Sequence, residues 1–177
     1  PIAGKWSLDD ATKGLPAGKT LSATIETSLG NLECKLFDDK APITVANFVG
    51  LARGTRPWKT PAGKWEKKPA YDGTTFHRII KGFMIQGGCP QGTGTGGPGY
   101  KFRDEPVVAE YTLGAVAMAN AGPHTNGSQF FICIDDCTRK LDKAYNLFGY
   151  VVEGMDLALA VRVGDTMQTV VIEELDR

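Results

Sequence analysis

The chain has 177 residues, with 20 Lys+Arg against 20 Asp+Glu, 42% hydrophobic and 23% charged residues, the profile of one soluble globular domain that can bury a core without disulfide staples. A formal net charge of zero argues against nucleic-acid binding through global charge, because phosphate recognition leaves a basic surplus on a domain. No apolar run approaches the roughly 18 residues of a membrane helix and no basic-then-apolar leader stands at Pro1, so neither a transmembrane segment nor a signal peptide is expected.

Residues 1–20 mix Gly, Pro and charges without periodicity and read as a surface arm; residues 21–177 read as the domain. Alternation from Leu21 to Thr27 and from Leu32 to Phe37, around the turn Ser28-Leu29-Gly30-Asn31, predicts a β-hairpin. Pro42 then opens helical spacing (Ile43, Ala46, Gly50, Leu51) that Gly54 stops, giving a helix over 42–53. Residues 53–70 hold three prolines and six Lys/Arg against Glu66, and read as a long basic loop. Short β-type runs follow at 74–79, 83–86, 112–118, 129–134, 147–152 and 169–175, with a second short helix from Met155 to Val161. Many short strands suggest a closed barrel or sandwich, and about eight strands with two helices, never in βαβα alternation, favour a mainly β fold, an antiparallel barrel with helices closing its ends.

The reactive inventory is small. Only His77 and His124 are present, and neither HExxH nor paired CxxC occurs; Cys133-Ile-Asp-Asp-Cys137 is the nearest metal candidate, and no metal or cofactor is expected. With Cys34 and Cys89 these cysteines read as reduced thiols, which suits a cytoplasmic protein, although a chain starting without Met leaves an earlier export signal open. Ser128 sits in NGSQF and lacks the second glycine of a nucleophile elbow. Gly87 to Gly99 holds seven glycines in thirteen residues, but no Lys-Ser/Thr follows as in a P-loop. Those glycines are expected to let a loop adopt φ > 0 across a barrel end. Trp58 and Trp65 among the lysines could stack bases, but the preferred reading is a solvated loop pinned down by its tryptophans.

One set of motifs narrows the function. Phe76-His77-Arg78-Ile79-Ile80-Lys81-Gly82-Phe83-Met84-Ile85-Gln86-Gly87-Gly88, with Met118-Ala119-Asn120-Ala121-Gly122-Pro123, Asn126-Gly127-Ser128-Gln129-Phe130-Phe131-Ile132 and Phe148-Gly149, closely resembles the cyclophilins, which are peptidyl-prolyl cis–trans isomerases. The similarity runs from about Leu21 to the C-terminus, and the 53–70 loop and the shortened glycine segment look most like bacterial members. The resemblance implies a closed eight-stranded antiparallel β-barrel capped by two α-helices, with its active site on one outer face. It also implies functional positions at Arg78, Phe83, Met84, Gln86, Ala119, Asn120, Gln129, Phe131 and Leu141, with His77 beside them.

Prolyl isomerisation makes and breaks no bond, and its barrier of about 18–20 kcal/mol comes from amide resonance. A guanidinium aimed at the prolyl nitrogen favours the twisted state over both planar ones; Arg78 is assigned that role. Phe83, Met84, Phe131 and Leu141 would form the apolar pocket for the pyrrolidine ring. Asn120 through its backbone and Gln86 through its side chain would hold the peptide, with Gln129 supporting the arginine. Phe76, Phe130 and Phe148 fit inward strand positions and read as core.

The chain departs from the family where many members carry tryptophan before the pocket leucine: here Thr138-Arg139-Lys140-Leu141. Where many place histidine stands Tyr145, whose ring can still wall the pocket, and Lys81 replaces the usual proline. Weak cyclosporin binding with retained activity is therefore expected. The leading reading is a monomeric isomerase acting on proline-containing polypeptides and assisting folding. The alternatives are a non-catalytic proline-peptide-binding or chaperone-like module and, less favoured, added nucleic-acid contact through the 53–70 loop.

Overall fold

In the computed structural model, which describes residues 5–175, the first hairpin forms as β1 (Thr20–Thr27) and β2 (Gly30–Leu36), and Ile25 pairs with Leu32 across it. The later strands are β3 (Trp58–Lys59), β4 (Trp65–Glu66), β5 (Phe76–Ile80), β6 (Met84–Gly87), β7 (Ala115–Met118), β8 (Phe130–Cys133), β9 (Leu147–Glu153) and β10 (Met167–Leu175). Eight of them form one antiparallel sheet in the order β10-β1-β2-β9-β7-β8-β6-β5, and β3 and β4 pair separately. The sheet curls until its edge strands β5 and β10 approach. They meet at their ends, through a Thr75–Thr166 bridge, Phe76 N–H donating to Asp165 O at 3.0 Å and Met167 N–H donating to Thr74 O at 2.7 Å. No continuous ladder joins β5 to β10 among the described residues.

Strand alternation divides the apolar residues between two faces. On β8, Phe130 and Ile132 enter the inner core while Phe131 and Cys133 face the other way; on β7, Val116 and Met118 go in while Ala115 and Ala117 go out. The inner core centres on Phe48, whose ring packs at 5.1–5.5 Å from Tyr71, Phe130 and Phe148. Phe76, Phe130 and Phe148 are fully buried, as their positions in the sequence implied. The outer face carries a second, smaller cluster of Met84, Phe131, Cys133, Cys137 and Leu147.

Among the described residues three helices complete the fold: α1 (Leu8–Thr12), α2 (Pro42–Arg53) and α3 (Met155–Ala160). Pro42 starts α2, and Gly54 ends it at φ +75°, where a side chain would also run into the Lys68–Pro69 backbone. The N-cap residue Ala41 has no side-chain acceptor. The carboxylate of Glu105 replaces it, accepting from Ile43 N–H at 3.1 Å, Thr44 N–H at 2.7 Å and Thr44 Oγ1 at 2.6 Å. A carboxylate there satisfies orphan donors and complements the helix dipole.

Two loop expectations change. The arm contains α1, closed by a capping box in which Ser7 and Asp10 bond each other reciprocally. Trp6 Nε1 donates to Ala46 O at 2.8 Å, Arg53 Nη1 donates to Ala11 O at 2.6 Å, and Ala11 is fully buried. The arm thus carries a helix and is tied to α2; its residues 1–4 lie outside the described residues. Within 53–70, the β3–β4 hairpin buries Trp58, whose Nε1 donates to Lys68 O at 2.8 Å, and leaves Trp65 43% exposed. One tryptophan, not both, pins the loop.

Candidate active site

Arg78 reaches the outer face through an irregularity. Phe76 pairs with Gly87 and Arg78 with Gln86, so two steps on β5 match one on β6 and His77 is the extra residue of a β-bulge. Strict alternation would put Phe76 and Arg78 on the same face. The bulge lets Phe76 enter the core and turns Arg78 outward beside Gln86. Among the described residues the guanidinium has no ion pair or side-chain hydrogen bond, so its donors are free for a ligand.

Two adjoining cavities share Arg78, Gln86, Ala119 and Asn120. The smaller, about 330 Å³, is completed by Phe83, Met84, Phe131, Leu141, Tyr145 and Lys140. The Phe131 and Tyr145 rings meet edge-on at 5.6 Å, so Tyr145 does wall the pocket. Lys140, standing where the resemblance would place a tryptophan, is held by hydrogen bonds to Gly82 O and the Asp135 carboxylate. The larger cavity, about 890 Å³, runs along Gly94 to Lys101 and past Thr125, Ser128 and Gln129.

Gln129 occupies the centre of a network. Its Oε1 accepts from Gln86 Nε2 at 3.0 Å, and its own Nε2 donates to Gly94 O and Gly96 O, both at 2.8 Å. Its amide group thus orients Gln86 and the glycine loop, and its Oε1, the only atom of it that a guanidinium could donate to, accepts from Gln86 and makes no hydrogen bond with Arg78, contrary to the support expected. Beneath that loop the fully buried Cys89 Sγ accepts from the N–H groups of Gly94 and Gly96, each at 3.3 Å. Burial pushes this thiol's pKa up, but the surrounding N–H groups outweigh it and hold it below the ordinary value. Four of the seven glycines at 87–99 adopt positive φ, as their density implied.

Asn120 is fixed by its side chain, with Nδ2 donating to Ala144 O at 2.8 Å and Oδ1 accepting from Gly122 N–H at 3.2 Å. Its backbone N–H and C=O have no partner among the described residues, and the residue lines both cavities. His77 alone of the expected residues lines neither cavity. Its ring lies under Gly94, with the Thr75 backbone and Gln129 side chain near it but outside hydrogen-bond geometry. Cys89 and Lys140 were not expected at the site; the only sequence signals were a cysteine opening the glycine run and the lysine before Leu141. All four cysteines are buried and free, and no group of three or more His, Cys, Asp or Glu able to hold a metal occurs among the described residues.

Comparison with known proteins agrees with this architecture. Residues 22–176 match the family model for "Cyclophilin type peptidyl-prolyl cis-trans isomerase/CLD". The chain is 52% identical over 137 residues to peptidyl-prolyl cis-trans isomerase A of Mycobacterium tuberculosis, covering 76% of this chain and 75% of the relative. It is 41% identical over 157 residues to a peptidyl-prolyl cis-trans isomerase of Helicobacter pylori, covering 86% and 87%. A crystal structure of a Cryptosporidium parvum cyclophilin superposes with TM-score 0.72 at 31% identity, covering 88% of this chain and 99% of that one; the same protein crystallised in the presence of the dipeptide Ala-Pro gives 0.71 at 32%, covering 86% and 99%. With the family model spanning most of its length, the chain belongs to the cyclophilin-type peptidyl-prolyl cis–trans isomerases.

Proposed function

We propose that this isomerase seats the proline ring of a polypeptide in the 330 Å³ pocket and catalyses X-Pro rotation with Arg78 at the prolyl nitrogen. The observation that carries this reading is the unpaired guanidinium of Arg78 at the junction of an apolar pocket and a polar groove. Phe83, Met84, Phe131, Leu141 and Tyr145 offer the ring flat, adaptable apolar walls. As the C–N bond twists, the prolyl nitrogen becomes pyramidal and gains a lone pair that the planar amide lacks. A fixed cation beside it then binds the twisted state more strongly than either ground state.

The free backbone groups of Asn120 and the tethered side chain of Gln86 hold the chain on one side of the rotating bond. An uncatalysed rate of about 10⁻² s⁻¹ raised to about 10–10³ s⁻¹ asks for roughly 4–7 kcal/mol, within reach of one charge-assisted hydrogen bond plus orientation. Cyclosporin binds weakly in this reading, because Lys140 brings an ammonium where an indole would add apolar area. The short links between β5 and β10 support a barrel that is effectively closed, four buried free thiols suit a reducing cytoplasm, and a monomer completes the reading.

The test is an NMR-exchange or protease-coupled assay on a short X-Pro peptide. Arg78→Ala should lower kcat/KM at least about a hundredfold, or about 2.7 kcal/mol. A folded wild-type protein with no activity above background would leave the fold standing and make a peptide-binding module the better reading.

A further inference from the structure

We propose that the β3–β4 hairpin extends the groove beyond Gly99 and makes the enzyme prefer polypeptide segments that carry acidic side chains close to their proline. This rests on the isomerase reading above and specifies which substrates the groove takes.

The larger cavity is lined by two cations, Arg78 and Lys101, and by no Asp or Glu. At Gly99 its wall meets the hairpin: a Cβ there would lie 2.5 Å from Lys59 Cβ and 3.0 Å from Trp65 Cη2. Gly99 also takes φ +85°, so both its backbone and its lack of a side chain permit the hairpin to press against the groove rim. In the hairpin register Lys59 stands opposite Trp65, and Trp58 opposite Glu66.

Alternation puts these pairs on opposite faces. The Trp58 face turns inward, and its Glu66 carboxylate is taken by Lys68 at 3.0 Å. The other face lays Lys59 and the half-exposed Trp65 ring along the rim, with exposed Lys64 next in the chain. Among the described residues Lys59, Lys64 and Lys101 have no ion pair. A cationic, acid-free trench continued by an indole platform and unpaired lysines complements a chain bearing Glu or Asp, whose carboxylates meet the ammonium groups while backbone and methylenes lie on Trp65. Exposed ion pairs are individually weak and screened by salt, so the preference is modest and disappears at high ionic strength.

The experiment measures kcat/KM by NMR exchange on peptides with a central Ala-Pro and three Glu, three Gln or three Lys on either side. The expected Glu-to-Gln ratio on the favoured side is about five at low salt and below about two in concentrated NaCl. The ratio should fall toward one in K59Q/K64Q, and the Gln peptide should weaken in Trp65→Ala. Because the K59Q/K64Q readout is a ratio within one preparation, partial misfolding does not mimic it, and the Trp65→Ala value is taken per folded molecule. A wild type that isomerises the Gln peptide but shows a ratio of one overturns the inference alone, as does a ratio that survives K59Q/K64Q. A wild type inactive on every peptide overturns the functional reading and this one with it. A single-stranded oligonucleotide that competes with the Gln peptide, while Glu peptides gain nothing, would reassign the lysines to nucleic acid and overturn it too.

Discussion

The two ends of the groove are built from different material. The proline pocket is made of side chains, Met84 on β6 and Phe131 on β8, projecting from paired strands over a packed outer cluster. The far trench is made largely of backbone, Gly94 to Gly99, held in place by Gln129 above and Cys89 below. A pocket on strands gains precision from the ladder and from close packing, which suits positioning a rotating bond. A loop held by a few hydrogen bonds is cheaper to deform and suits accepting varied sequence on either side of the proline.

Breaking the pocket should therefore cost the most. Phe131 is nearly fully buried, and Phe131→Ala leaves a cavity next to Met84 and Tyr145. It should destabilise the fold by about 3–5 kcal/mol in urea titrations and lower kcat/KM at least about tenfold on every X-Pro peptide. Gln129→Ala removes three hydrogen bonds from the trench but no core volume. Stability should fall by about 1–3 kcal/mol, amide exchange at Gly94 and Gly96 should quicken, and kcat/KM should fall severalfold. Equal effects of the two substitutions on stability would show the halves to be one packing unit. Glu105→Ala touches neither half. It should cost about 1–2 kcal/mol by uncapping α2 with kcat/KM per folded molecule unchanged; a coupled loss of activity would mean that the scaffold transmits strain into the groove.

The same contrast explains what could be read from the sequence. Helix α2 was legible because Pro42 and Gly54 are local signals, and its bounds at 42–53 agree with the structure. The strands were legible because alternation reports burial, although β7 begins only at Ala115, after a turn in which Ala115 N–H bonds Thr112 O. The pocket residues came through the resemblance, and Phe83, Met84, Phe131, Leu141 and Tyr145 do converge. Other features depend on partners distant in sequence and left no local trace. The cap of α2 comes from Glu105, more than 60 residues on. The bulge at His77 reverses the face that period-two reading gives Arg78. Gln129 spends its donors on loop carbonyls more than 30 residues away. Helix α1 was missed although Ser7 and Asp10 spell a local cap, because five residues are too few to show a period.

The smallest expected effect separates the halves by pH. Burial under the glycine loop pushes the His77 imidazole's pKa down; the Thr75 backbone and Gln129 side chain oppose the shift, and the Arg78 charge adds to it. In the unfolded chain the same group titrates near 6.5. Between the two values the unfolded state binds more protons, so stability rises with pH across that window. The contribution is complete above about 6.5 and is lost as pH falls through the folded value. The urea midpoint of the wild type should thus drop between pH 7.5 and 5.5, and His77→Asn should flatten that drop. The pocket wall holds no His, Asp or Glu, His77 lines neither cavity, and bond rotation transfers no proton, so kcat/KM per folded molecule should stay level over the same range. If instead kcat/KM followed the His77 titration while the urea midpoint stayed constant, the imidazole would belong to the reacting half of the groove and the division drawn between pocket and trench would fail.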